Sequence, residues 1–314
     1  MRIFIFLFIF CCSFIGYTQN SFSKEFSILS DNDLYTSTYR DRYYTNGLFL
    51  SYKFLSTSKK EQIVKKIKTF QIGHMMYTPV NATLKFAIEH DRPFAAYLFT
   101  EYGERRFYNS QNLLITDLQI GMIGPNAKGK ELQDFIHQIY NYPKVTGWKH
   151  QIKNAFAFNL NTVFLKHFKK ISASNFDANS ISKLKVGTVF SSFSTGLYSR
   201  IGLKKLQPLY NSVAFNSNLN NENNKSESES FFYVKPMLNY IMYDATIQGS
   251  FLNNTSPVTF KVKPIVFTIE LGYKYYHRRF LYGYTFHYHT KKPQSLRATK
   301  NNTYGSIYIG YYFN

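Results

Sequence analysis

Apolar and polar positions alternate with a period of two through most of the chain. At the C terminus Gly305, Ile307, Ile309, Tyr311 and Phe313 fall on one side, and Tyr304, Ser306, Tyr308, Gly310 and Tyr312 on the other. Phe280, Tyr282, Tyr284, Phe286 and Tyr288 alternate with Gly283, Thr285, His287 and His289, and Ile265 to Tyr275 keeps the same rhythm. This is the period of a strand, whose successive side chains stand on opposite faces. About twelve strands are predicted, near residues 22–31, 43–55, 67–77, 95–104, 112–123, 151–168, 182–191, 193–203, 231–243, 262–276, 279–290 and 303–314.

One stretch breaks the rhythm. Gly121, Gly124, Pro125 and Gly129 end a strand and bend the chain. Leu132, Phe135, Ile136, Ile139 and Tyr140 then recur at helical spacing, which predicts a short amphipathic helix. Gln133 and His137 share a face of it, opposite the apolar stripe, where they point at a ligand or at water. The helix reads as a lid.

Composition decides which β architecture is meant. The 314 residues include 31 Phe and 27 Tyr, yet only 18% are charged. Aromatic strands with one apolar and one polar face are the pattern of a barrel with lipid outside and a polar interior. In lipid no strand edge stays unpaired, so the expectation is an all-β fold, a transmembrane antiparallel β-barrel of about 12 strands with a short extracellular helix. A two-sheet soluble sandwich is the alternative that alternation alone allows.

The N terminus supports export. Arg2 followed by the apolar run Ile3 to Ile15 reads as a signal peptide over residues 1–19, leaving 20–314 as the outer-membrane barrel domain. Cys11 and Cys12 both lie in that leader, so thiol and disulfide chemistry are excluded from the mature chain. The formal charge is +20, of which the leader holds Arg2 alone. Near a membrane a basic surface favours anionic head groups by roughly 1 kcal/mol per well-placed cation. Nucleic acid would match the charge equally well, but an exported barrel rarely meets it.

An even strand count puts both termini on the periplasmic side, so connections after odd strands face outward. These are roughly 32–42, 78–94, 124–150, 244–261 and 291–302. They gather Asp31-Asn32-Asp33, Tyr44-Thr45-Asn46-Gly47, Tyr77-Thr78-Pro79, Lys85, Asp91-Arg92-Pro93-Phe94 and the helix of His137 at one rim. Alternation with Leu48, Leu50 and Tyr52 outward puts Thr45 on the inner face. The Asn/Ser-rich run Asn216 to Ser230 reads as disordered and follows an even strand, where turns are usually short. Either the count slips by one near residues 165–195 or this loop is an exception.

Taken in order, Asn32-Asp33, Tyr44-Thr45-Asn46-Gly47, Thr78-Pro79, Asp91-Arg92-Pro93-Phe94-Ala95 and the series Gly124-Pro125, Gly129, Gln133, His137, Trp148, Gln151 resemble the outer-membrane lipid A 3′-O-deacylases of the LpxR type. The resemblance covers about residues 26–152. It implies a twelve-stranded barrel that hydrolyses the 3′ ester of lipid A in lipopolysaccharide with a histidine-activated water and a calcium ion. Carried over by position, His137 matches the catalytic histidine, Gln133 its helical neighbour, Thr45 the inward threonine, Lys85 the basic position within a residue, and Asn32 and Asp33 the rim pair. One departure stands out: the family has an acidic residue a few positions after the histidine, where this chain has Asn141, Tyr142, Pro143 and Lys144.

The chemistry is consistent with the residues. Ester hydrolysis needs a proton acceptor that titrates near neutrality, and histidine alone has an unperturbed pKa of about 6.5. No G-x-S-x-G turn offers a serine nucleophile, and no H-E-x-x-H a zinc site. Asn32 and Asp33 offer hard oxygens, which suit Ca²⁺ or Mg²⁺. Plainer readings stand beside these: a hairpin start for Asn32-Asp33, lumen lining for Thr45, His287 and His289, a structural ion pair for Asp91-Arg92, a solvated lysine for Lys85. The expected partners are lipopolysaccharide and outer-membrane lipids, with the chain a monomer. An outer-membrane phospholipase and a non-catalytic, porin-like barrel are the alternatives.

Overall fold

The alternating segments close on themselves. The computed structural model describes residues 21–36, 42–58, 60–81, 83, 86–216, 218–220 and 228–314; the expected leader lies outside them. The strands are β1 (Lys24–Asn32), β2 (Tyr43–Ser56), β3 (Ile63–Thr78), β4 (Ala95–Tyr108), β5 (Leu113–Ile123), β6 (Ala155–His167), β7 (Phe176–Gly187), β8 (Phe190–Gly202), β9 (Ser228–Asp244), β10 (Ile265–His277), β11 (Phe280–Thr290) and β12 (Asn301–Phe313). Each pairs antiparallel with its neighbours, and β1 meets β12 from Lys24 against Phe313 to Asn32 against Gly305. No edge is left open.

Several strand ends differ from expectation by a few residues, most of all around β7, which begins at Phe176 rather than near 182. The turn between β7 and β8 is Thr188-Val189, several residues earlier than the alternation suggested. Side chains at the turn fix it: the Thr188 hydroxyl accepts the Phe158 amide at 2.9 Å, and Asn159 Oδ1 accepts the Val189 amide at 3.1 Å. The strand count itself holds. The long connection 203–227 is therefore an exception at the end that carries the termini.

The two faces of the wall differ as the period of two requires. Phe26, Ile28, Leu48, Leu50, Tyr52, Phe70 and Ile72 are exposed on the outside. Between them, Glu25, Ser27, Asp31, Ser51, Lys53 and Thr69 are buried inside. Some of the interior charges form buried ion pairs, which offset the cost of burial. Lys53 Nζ donates to Glu25 at 2.6 Å and to Ser27 at 2.9 Å, and Arg200 meets Asp177 at 2.5 Å.

The rim away from the termini is partly roofed. Arg92 and Asp91 do not pair with each other as an ion pair would. Arg92 donates to the carbonyl and hydroxyl of Thr246, in the short helix Ala245–Gln248, at 3.0 and 3.1 Å, and lies over the Tyr77 ring. Asp91 accepts the Tyr43 hydroxyl at 2.7 Å and the Val80 amide at 3.0 Å. Burial lowers the pKa of the Arg92 guanidinium and of the nearby Lys292 ammonium.

Candidate active site

A β-bulge prepares the site. Tyr44 pairs with Tyr77 and Asn46 with Met76, so Thr45 is an extra residue in β2. Tyr44 turns inward, where its hydroxyl donates to Asp31 at 2.7 Å and its ring lies edge-on to Tyr304. Gly47 makes room for that ring, since a Cβ there would stand 2.1 Å from the Tyr44 hydroxyl oxygen. The bulge reverses the parity of alternation. Thr45 therefore faces outward, not into the lumen as counting back from Leu48 implied; its hydroxyl lies 2.6 Å from that of Thr78 on the outer face of β3.

The helix α1 (Gly129–Tyr140) lies against this outer wall. His74 Nε2, facing out from β3, donates to the Ala127 carbonyl at 2.8 Å and so holds the approach to the helix. At Gly129 a Cβ would come within 2.5 Å of Ala96 and 2.6 Å of the Trp148 ring. Only glycine allows so close a contact. Trp148, Phe94, Ala96, Met76 and Ala127 form a small core between helix and wall.

The polar pair lies on the packed face of α1. Gln133 is buried and His137 half-buried, whereas Phe135 and Ile139 are 61% and 59% exposed. The apolar stripe expected from spacing is thus divided: Leu132 and Ile136 turn toward the wall, Phe135 and Ile139 away. Helical spacing identifies neighbours but not which side the wall occupies. Trp148 Nε1 donates to Gln133 Oε1 at 2.6 Å. An indole N–H only donates, so this contact fixes which end of the amide faces Trp148.

Between helix and wall lies a cleft enclosing about 700 Å³, part of it open to solvent, lined by Asn32, Leu34, Tyr35, Thr45, Asn46, Met76, Gln133, Ile136, His137 and Tyr142. Four expected site residues thus meet there, from β1, β2 and α1. Asn32 and Asn46 are directly paired across the two strands on the outer face. Lys85 lies outside the described residues.

His137 is oriented by the main chain. Asn141 ends α1 at φ 56°, in the left-handed region, and the Tyr142 amide donates to the His137 carbonyl at 2.8 Å. This turn brings the Pro143 carbonyl to 2.7 Å from His137 Nδ1, with the Tyr142 ring edge-on to the imidazole at 5.5 Å. A carbonyl can only accept, so Nδ1 carries the proton and Nε2 is the basic nitrogen of the neutral ring. Tyr142 and Pro143 were not singled out as site residues in the sequence. The αL-prone Asn141 before Pro143 was the local signal for this turn.

Asp33 sits behind the cleft rather than on it. It is fully buried at the start of the turn Asp33–Thr36, and its Oδ2 accepts the Arg42 amide at 2.7 Å. Asn32 Oδ1 accepts the Leu34 amide at 2.7 Å. For a hard cation the donors are right in kind, being oxygens of Asn32, Asp33 and Thr45. Only one is a carboxylate, and among the described residues no group of three His, Cys, Asp or Glu gathers anywhere. A cation would depend on main-chain oxygens, water or substrate for the rest.

The other histidines have structural surroundings. His287 and His289 line an interior space, His287 donating to or accepting from Ser306 at 2.8 Å and stacking on Tyr304. His90 is buried edge-on to Phe94 and His150.

A family model described as "Outer membrane protein LpxR" matches residues 3–313. Among solved structures, LpxR from Salmonella typhimurium superposes with a TM-score of 0.73 at 20% identity, covering 92% of this chain and 100% of that one. The β domain of the Bordetella autotransporter BrkA reaches 0.47 at 9% identity, covering 94% and 99%. The translocator domain of NalP from Neisseria meningitidis reaches 0.41 at 8%, covering 99% and 96%. A comparison with curated protein sequences found no match.

Proposed function

The chain belongs to the LpxR family of outer-membrane proteins, and on that premise we propose that it hydrolyses the ester of the 3′-O-linked acyl(oxyacyl) group of lipid A in lipopolysaccharide. The observation that carries this reading is the cleft itself: Asn32, Thr45, Gln133 and His137 line one space on the outer wall. An outward-facing cleft is open to a lipid held in the surrounding leaflet. A porin-like barrel would need no such arrangement.

In the reaction, His137 Nε2 takes a proton from water as the water oxygen bonds to the acyl carbon. The bond between that carbon and the 3′ oxygen then breaks. The proton passes from His137 to the departing 3′ oxygen, giving a free carboxylic acid and a 3′ hydroxyl. The Pro143 carbonyl keeps Nε2 as the basic atom by holding the proton on Nδ1. Gln133, anchored by Trp148, and the Thr45 hydroxyl offer polar contacts to the ester. Asn32 and Asp33 would hold a calcium ion, whose positive charge would polarise the ester carbonyl. Lys85 is assigned to binding a phosphate or the ester. A single chain carries all these groups, so the proposal needs no second copy.

The test is to incubate the purified barrel separately with lipopolysaccharide and with glycerophospholipid and to weigh the products by mass spectrometry. Loss of a 3′ acyl group from lipid A alone is expected. Cleavage of phospholipid instead makes this a phospholipase, and no cleavage of either returns it to a non-catalytic barrel.

A further inference from the structure

The connection between β8 and β9 turns inward. Leu209, Val213 and Leu219 are fully buried and Ala214 nearly so, packed inside the mouth of the barrel that carries the termini. Such a segment must satisfy its own carbonyls, and it does so with cations from the wall. Lys53 donates to the Asn216 carbonyl at 2.9 Å, and Lys274 to the carbonyls of Val213 and Ala214 at 3.2 and 2.6 Å. Lys65 binds the Tyr210 carbonyl and Asn211 Oδ1. Arg200 reaches the Ser212 hydroxyl at 2.5 Å and the Gln207 carbonyl at 3.0 Å. Glu229 in turn accepts the Val213 amide at 2.8 Å.

These cations stand on β2, β3, β8 and β10. A loop merely resting against its own hairpin would touch β8 and β9, whereas this one is gripped from several sides of the wall. The dependence is mutual. A buried ammonium without partners is costly, and so is a buried carbonyl without a donor. We propose that residues 206–216 are an intrinsic plug that closes the periplasmic mouth, so that this barrel passes no solute through its lumen. The plug is independent of the deacylation assigned above, because the cleft lies outside the wall at the other end.

The test uses the full-length protein with Cys11 and Cys12 replaced by serine and a single new cysteine, Ala214→Cys. In the folded barrel a membrane-impermeant thiol reagent should label it at least about 100-fold more slowly than in the urea-unfolded chain. Adding Lys53→Met and Lys274→Met should speed labelling about tenfold or more, with the wall intact by heat-modifiable migration in gels. The parent in a planar bilayer should carry no steady current. A steady ohmic current in the parent overturns the plug, as does labelling of folded Ala214→Cys at the unfolded rate. Labelling unchanged by the two methionines overturns the role of the lysine clamps.

Discussion

The Nδ1 of His137 and the main-chain oxygen of Pro143 lie 2.7 Å apart. Where the resemblance implies an acid, this chain sets a neutral carbonyl against the ring. In the proposed reaction a carboxylate would also favour the imidazolium that would form, whereas a carbonyl contributes chiefly orientation. In the proposed reaction the path of the backbone after α1 would therefore matter more than side-chain charge.

Asn141 is the residue that sets that path. A β-branched residue resists its left-handed conformation, at about 1–2 kcal/mol. Asn141→Val is expected to lower kcat about tenfold with KM little changed, while Asn141→Gly keeps activity. Steady-state kinetics on dispersed lipopolysaccharide would check this; equal losses in both variants would remove the turn from the mechanism.

His137→Ala should remove deacylation and leave the barrel intact. The helix lies outside the strand ladder, and loss of a general base costs about 10²–10⁴ in rate. Product masses and heat-modifiable migration, measured on the same sample, separate the chemical from the structural effect. Parental activity in the folded variant would exclude this histidine.

Deleting Thr45 should be tolerated by the wall and not by the site. Tyr44 would still oppose Tyr77, and Asn46 would still oppose Met76, in a ladder made regular. Thermal unfolding is expected to stay close to the parent while the deacylation rate drops by about tenfold or more. An active deletion variant would show that the bulge serves only the fold.

Trp148→Phe keeps an aromatic body in the small core but removes the donor to Gln133. Leaving a buried acceptor without its partner costs about 1–3 kcal/mol. Deacylation should fall with a smaller change in thermal stability than Trp148→Ala produces. A stability loss as large as that of the alanine variant, with turnover intact, would assign Trp148 to packing alone.

Chelation is expected to abolish activity, and added calcium to restore it. Asp33→Ala should lower activity sharply and raise the calcium needed for half-maximal rate. Undiminished turnover in excess chelator would withdraw the metal from the rim. Calcium titration followed by tryptophan fluorescence gives a readout of binding separate from turnover.

The strands were legible because inside and outside impose a period of two along nearly every segment, as from Gly305 to Phe313. Four residues that line the cleft, Asn32, Thr45, Gln133 and His137, were legible by type and order but not by side of the wall. Thr45 shows why: a single extra residue inverts parity, and its cause is tertiary, the inward packing of Tyr44 over Gly47. His137 shows the same limit, since spacing gave its helix but not the carbonyl that orients it. The periplasmic connection was hardest to read. The Asn/Ser-rich run Asn216 to Ser230 reads as disordered, and most of it lies outside the described residues, whereas Leu209, Val213 and Ala214 just before it are buried by contacts with strands far off in sequence.

The position of the cleft on the outer wall changes how the reaction should be counted. In the proposed reaction a substrate held in the leaflet would reach His137 by lateral diffusion, so the rate should follow the mole fraction of lipid A in the surface rather than its concentration in bulk water. Dilution of the whole suspension then leaves turnover per enzyme unchanged, while dilution with inert lipid at constant volume slows it. A released acyl chain would stay within the same sheet of molecules and would compete there for the cleft.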